Sequence, residues 1–442
     1  MSISPNTKLS PNKALAALYS TGRAKKSAFL WGPPGIGKSD IVRELGKRLS
    51  TRDSDGNVVE ECEVKDVRLL LMDPTDLRGI PHIVSATGKM QWSEPSALPD
   101  EFVVNPAWVK ATANLMKDVY GMLMRNDNYR YVNLDGTESD LTDADLPERL
   151  IPNKRPVILF LDELTAAPPA VQAAAYQLVL DRKVGDYNLP ENCIVVAAGN
   201  RQEDRGVVFT MPTPLANRFV HIDMTHDSNE WLDWAINNRV HPNVLGFISS
   251  ASSKLFQFDP QNSDANRAFA TPRSWVAVSD LEWVKDKYGT DAEVHNALIE
   301  GTVGIGIGNE YNAWISDAQG LPSAKDVISG KVTKMPTRGS TKKISGQFYV
   351  VANVCYEMYE LNERTKNAGS EGKKEFDVAL SNVSRFLLGK AEDGTYNFSD
   401  ELQIMALRLM LNKYHIDMDM NNPDFDAAIT KHAEIVIKAI AQ

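Results

Sequence analysis

The sequence predicts an α/β fold, a parallel sheet between helices followed by a long helical region. Three observations predict it. Ser27–Trp31 is a short apolar run read as a buried strand; a glycine-rich turn follows, then Ile41, Val42, Leu45 and Leu49 at helical spacing. Val157–Leu161 is an unbroken apolar run ended by Asp162 and Glu163, which suits a strand buried on both faces of a parallel sheet. Cys193–Gly199 is a third such run, ended by Asn200.

Whole-chain properties narrow the class. The 442 residues are 43% hydrophobic and 24% charged, the balance of a soluble globular protein with room for two or three domains. No apolar run approaches the roughly 18 residues of a membrane span. The N-terminus has no basic segment leading into an apolar core, so no secretory signal is expected. Cys62, Cys193 and Cys355 are scattered, which argues against a disulfide framework or zinc site and fits a reducing, cytoplasmic setting. The net charge of −10 argues against broad electrostatic binding of nucleic acid.

Along the chain, a short helix at Lys13–Tyr19 leads into the first strand. After the glycine turn and its helix come a polar hairpin near Asp53–Gly56 and a strand at Val64–Met72. Residues 93–155 break the pattern and read as an insertion. It opens with prolines and continues with an amphipathic helix bearing Met116, Met122 and Met124. Asn105 is that helix's expected N-cap and Pro106 its first residue. An acidic polar loop, Asp135–Arg155, closes the insertion. Core elements resume at Val157 and run to Met224. The rest is mostly helical, with a glycine-rich stretch at Gly301–Asn309 and a polar, basic linker at Lys331–Gly346.

The glycine turn carries the chemistry. Gly32-Pro33-Pro34-Gly35-Ile36-Gly37-Lys38-Ser39 matches the phosphate-loop pattern G-x-x-x-x-G-K-[ST]. Glycines let backbone N–H groups converge on phosphate oxygens, and the following helix adds the positive end of its dipole. Lys38 is expected on the β- and γ-phosphates of ATP, and the Ser39 hydroxyl on Mg²⁺. With Asp40, Gly32–Ser39 form the expected nucleotide contact. Asp162, at the strand end where parallel sheets place ligands, is expected near the Mg²⁺. Glu163 is then placed to orient or deprotonate the attacking water, and Asn200 to hold that water or the γ-phosphate. An apolar run ended by acid, or a Gly-Asn turn, is ordinary by itself; the order of the three motifs gives them meaning.

In this order, the strand with Gly32–Ser39, Leu161-Asp162-Glu163 and Gly199-Asn200 resemble Walker A, Walker B and sensor 1 of an AAA+ ATPase. Pro214-Leu215-Ala216-Asn217-Arg218-Phe219 resembles that family's arginine-finger segment, with Arg201 and Arg205 as alternatives. Thr271-Pro272-Arg273-Ser274 resembles the start of a lid helix whose Arg273 would contact the nucleotide. Asp73–Pro81, Gly88–Trp92 and Glu163–Gln172 resemble the MoxR subgroup: the first its segment between the second strand and Walker B, the second the turn and return strand of its helix-2 insert hairpin, the third its helix after Walker B. The resemblance covers about residues 27–290, apart from the insertion.

It implies a P-loop NTPase AAA+ core with a parallel five-stranded sheet over residues 1–226, a helical lid over 227–300 and a helical extension over 301–442. It also implies Mg²⁺-dependent ATP hydrolysis and a homo-oligomeric ring, usually hexameric, in which Arg218 acts in trans. The ring would remodel or mature a partner protein, of which a von Willebrand factor A-type protein is the implied kind. Residues 93–155 have no counterpart in that family, and about 300–442 match none of its parts. A nucleic-acid motor or loader, and a nucleotide-gated scaffold with little turnover, are the alternatives.

Overall fold

The computed structural model describes residues 7–416, with residues 430 and 432, apart from 84–88, 94, 101, 106, 109–118, 126–127, 134–137, 143–149, 186, 202–203, 205–208, 259–267, 319, 336–343, 367, 390–396 and 415. The chain forms two compact units. Met1–Pro34 and Lys38–Thr225 make the first; Gly35–Gly37 and His226–Gln442 make the second.

The first unit holds the predicted sheet. Helix α1 (Pro11–Arg23) precedes β1 (Ala28–Trp31), and α2 (Lys38–Leu49) follows the glycine loop. A short hairpin, Thr51–Arg52 with Val58–Glu60, leads to β2 (Glu63–Arg68). Next come α3 (Pro74–Arg78) and a second hairpin pairing Pro81–Ile83 with Met90–Trp92. The sheet resumes with β3 (Val157–Asp162), α4 (Pro169–Asp181), β4 (Cys193–Gly199), α5 (Thr213–Ala216) and β5 (Val220–Asp223). The five strands lie in the order β5-β1-β4-β3-β2, and every pairing is parallel.

Burial explains why β4, and β3 up to Asp162, are apolar throughout. Val157, Leu159 and Leu161 point to one face and share a core with Val171, Ala174 and Leu178 of α4. Ile158 and Phe160 point to the other face and are also buried, on the side where α2 packs against β2, β3 and β4. A strand covered on both faces cannot alternate in polarity.

The insertion differs from its expected form. Asn105 does accept the Ala107 backbone N–H at 2.9 Å, as a cap should. Pro106, residues 109–118 and Met116 lie outside the described residues, but no methionine-bearing helix continues beyond them. Met122 and Met124 instead lie on a strand, Val119–Arg125, which pairs antiparallel with Asn128–Asn133; that strand in turn pairs with Glu138–Thr142. The run Val119-Tyr-Gly-Met-Leu-Met is rich in β-branched, aromatic and bulky apolar residues, and sheet pairing overrode the helical spacing. The polar segment read as a loop also supplies Glu138–Thr142 and Leu150–Pro152. Leu150–Pro152 pairs antiparallel with Phe102–Val104, closing the insertion on a two-stranded stem.

The second unit is helical among the described residues. It comprises α6 (Ser228–Asn237), α7 (Pro242–Ser250), α8 (Pro272–Tyr288), α9 (Ala292–Val303), α10 (Ile305–Ala318), α11 (Ala324–Ile328), α12 (Ile344–Thr365), α13 (Gly369–Leu388) and α14 (Asp400–Arg408). Asp227 caps α6 by accepting the backbone N–H groups of Asn229 and Glu230, and Thr271 caps α8 in a reciprocal box with Ser274. One core runs through the unit, joining Trp231, Trp275 and Ile299 to Val327, Val351, Phe386 and Leu407. No described helix is long and apolar enough to cross a membrane.

Candidate functional site

Strand register assembles the site. Trp31, the last residue of β1, lies beside Gly199 of β4 and Asp223 of β5, and Leu161 of β3 lies beside Ala197 of β4. The glycine loop, Asp162-Glu163 and Asn200 therefore leave the sheet at one edge, the carboxyl edge where open parallel sheets bind ligands.

The loop has the backbone its sequence requires. Gly35 and Gly37 take φ values of 78° and 92°, which a side chain rarely tolerates. Gly32 and Ile36 are buried, and Pro33 and Pro34 are half-buried. Lys38 and Ser39 open α2. The Lys38 ammonium donates to the carbonyls of Gly32 at 2.7 Å and Pro33 at 3.0 Å, and to Asn200 Oδ1 at 2.9 Å. A lysine only donates, so the amide oxygen of Asn200 faces it and the Asn200 NH₂ remains a donor for another group. Asp40 is exposed and pairs with Arg43 at 2.8 Å along the helix surface.

The second pair joins α2 to β3. Ser39 Oγ donates to Asp162 Oδ2 at 3.1 Å, and Asp162 Oδ1 accepts the Glu163 backbone N–H at 2.9 Å. Two oxygens bound side by side on Mg²⁺, each about 2.0–2.1 Å from the ion, are themselves roughly 3 Å apart. The Ser39–Asp162 spacing fits that requirement. Glu163 is half-buried with φ of 57°, a left-handed backbone uncommon outside glycine, asparagine and aspartate and concentrated at functional sites. On β2, the Asp66 carboxyl is pushed above its ordinary pKa, first by burial and then by the charge of Asp162. Among the described residues, no cluster of three His, Cys, Asp or Glu is arranged to hold a metal.

Two residues of this edge are missed by the sequence reading. Thr165 donates its hydroxyl to the Asn200 carbonyl at 3.3 Å. A Cβ on Gly199 would fall 2.5 Å from Thr165 Oγ1, so the glycine of Gly199-Asn200 is a steric requirement as well as a turn residue. Asp223 accepts from Arg201 Nε at 3.0 Å and Nη2 at 2.6 Å. A strand ending in a carboxylate was the available signal for that pair.

The arginines now separate. Arg201 is held within its own chain by Asp223. Arg205 lies outside the described residues. Arg218 is exposed in the turn between α5 and β5, with no salt bridge among the described residues. Arg273 is exposed in the first turn of α8, in the second unit.

No protein-family model matches this sequence, and no curated protein matches it. Among solved structures, its fold is similar to a candidate ATPase from Cytophaga hutchinsonii at 13% identity, covering 96% of this chain and 81% of that one, with a TM-score of 0.26. NtrX from Brucella abortus is 11% identical over 85% of this chain and 69% of that one, with a TM-score of 0.33. The RuvB Holliday junction branch migration motor of Thermotoga maritima is 14% identical over 88% of this chain and 91% of that one, with a TM-score of 0.29. At these identities and scores the likeness carries no argument about chemistry, which rests on the site itself.

Proposed function

We propose that this chain is an AAA+ ATPase of the MoxR type, which hydrolyses ATP in a self-assembled ring and uses the cycle to remodel a partner protein. The observation that carries this reading is the convergence of three distant motifs. Lys38 meets Asn200 and Ser39 meets Asp162 at one sheet edge, beneath a loop whose glycines adopt the phosphate-cradling backbone.

Each side chain has a task. Lys38 exchanges loop carbonyls for β- and γ-phosphate oxygens. Ser39 and, directly or through water, Asp162 would hold Mg²⁺, which would supply charge neutralisation of the phosphates. Glu163 accepts the proton of a water whose oxygen attacks the γ-phosphorus, and the bond to the ADP oxygen breaks. The Asn200 amide orients that water. Arg218 of a neighbouring chain stabilises the transition-state charge, a contribution of about 10³–10⁵-fold in such enzymes. Arg273 is the residue of the helical unit to which the resemblance assigns nucleotide contact. The exposed Arg218 and the internally paired Arg201 support this choice of finger. A von Willebrand factor A-type protein is the partner class that the MoxR resemblance implies.

Phosphate release and nucleotide affinity, measured separately, test the reading. Lys38→Ala should lose nucleotide binding. Glu163→Gln and Arg218→Ala should bind ATP as wild type does and lose turnover. Unchanged turnover in Glu163→Gln removes the catalytic assignment and leaves a nucleotide-gated scaffold. Turnover that rises with DNA and falls with salt favours the nucleic-acid motor.

A further inference from the structure

We propose that His221 is a positioning residue that ties the strand entering the phosphate loop to the turn bearing Arg218, and so sets the arginine that a neighbouring chain's site receives. The inference rests on the ATPase reading above.

The geometry is a relay of two hydrogen bonds. Trp31 Nε1 lies 2.8 Å from His221 Nδ1, and His221 Nε2 lies 2.8 Å from the Ala216 carbonyl. The indole N–H can only donate, so Nδ1 must be the unprotonated acceptor. The ring proton then sits on Nε2 and is donated to Ala216. One tautomer of a neutral imidazole satisfies both contacts. An imidazolium, with protons on both nitrogens, would oppose the indole donor.

The two ends of the relay matter. Trp31 is the residue before Gly32, where the phosphate loop begins. Ala216 ends α5, two residues before Arg218. Its carbonyl also accepts the Phe219 N–H at 3.2 Å, so both its lone pairs are engaged around the arginine. Aromatic packing holds the same path. The Trp31 and His221 rings stack with centroids 5.9 Å apart, and Phe219 meets Phe29 edge-on at 5.4 Å. Arg218 itself is exposed; backbone hydrogen bonds hold its turn, Arg218 N–H to the Leu215 carbonyl at 3.0 Å and Val220 N–H to the Ser27 carbonyl at 2.9 Å, and His221 adds a side-chain link from behind.

The direction of action gives a test that a merely structural histidine would fail. His221→Phe keeps the ring and removes both hydrogen bonds. The variant is expected to bind ATP with affinity within about twofold of wild type and to lose kcat by about tenfold or more. Its nucleotide site is intact and its arginine misplaced. Glu163→Gln has the reverse defect. Mixing the two proteins should restore turnover to at least about twice the sum of the separate rates, because His221→Phe sites then receive a well-held Arg218. No gain on mixing, or a kcat within twofold of wild type, overturns the proposal. If His221→Phe does not fold, Trp31→Phe removes the indole donor while keeping an aromatic ring, and enters the same mixture.

Backbone exchange separates failure of the relay from failure of the ATPase reading. In the full chain, Trp31→Phe should speed hydrogen exchange of the Phe219 amide by at least about threefold. An unchanged rate overturns the relay, and it does so even if wild type proves to hydrolyse no ATP.

Discussion

At the scale of single residues, the candidate site is legible in the sequence as far as the phosphate-loop pattern and the strand ends carry it, because the proposed phosphate chemistry admits few alternatives. A loop cradling phosphates needs glycines with positive φ, and Gly35 and Gly37 adopt them. What sequence does not reveal is who touches whom across distant segments. Gly199 reads as turn chemistry, yet its lack of a side chain also makes room for Thr165. Gly199→Ala should therefore lower stability by about 1–3 kcal/mol in denaturant unfolding and displace Asn200, cutting turnover more than ATP affinity. The second unit offers a test of sign. His241 Nδ1 accepts the Asn243 N–H, so Nε2 carries the proton and donates to Asp286 at 2.9 Å. That hydrogen bond is the main cause of a carboxyl held below its ordinary value of 3.8. A depressed carboxyl contributes stability above its unfolded value and loses it as pH falls through the folded one. The advantage of wild type over Asp286→Asn in chemical unfolding should thus be present near neutrality and shrink below about pH 4. An advantage that grows with acid contradicts the assignment.

At the scale of elements, the buried strands are the most legible and the insertion the least. Val157–Leu161 and Cys193–Gly199 announce themselves because strands covered on both faces admit only apolar residues. The segment bearing Met122 and Met124 gives a helical reading because its residues fit either period, and Glu138–Thr142 falls in what reads as an acidic loop. The observed three-stranded sheet depends on partners that no local window contains. The stem explains how the core accommodates this segment. Phe102–Val104 and Leu150–Pro152 run antiparallel, so the chain leaves and returns at one place. Replacing residues 105–149 with a two-residue turn should preserve far-ultraviolet ellipticity per residue of the core and ATP affinity within about threefold. Loss of nucleotide binding would show that the insertion takes part in the site.

At the scale of the whole molecule, one feature of the sequence predicts more than it contains. The phosphate loop names a ligand, and Lys38, Ser39, Asp162 and Asn200 meet within one chain. Arg218 stands exposed, while Arg201, its nearest rival in the sequence reading, is already committed to Asp223. On the proposed mechanism, catalysis requires a second copy to bring its arginine to this site. Under the proposed function, ATP binds to the single chain and should raise the unfolding temperature in proportion to the logarithm of ATP concentration, an effect lost in Lys38→Ala. The most direct measurement is phosphate release per chain from Mg²⁺-ATP across a wide range of protein concentration, with assembly followed in the same samples. Turnover per chain should climb as the protein assembles and stay low throughout for Arg218→Ala. Full, concentration-independent turnover by a chain that remains monomeric would contradict that mechanism.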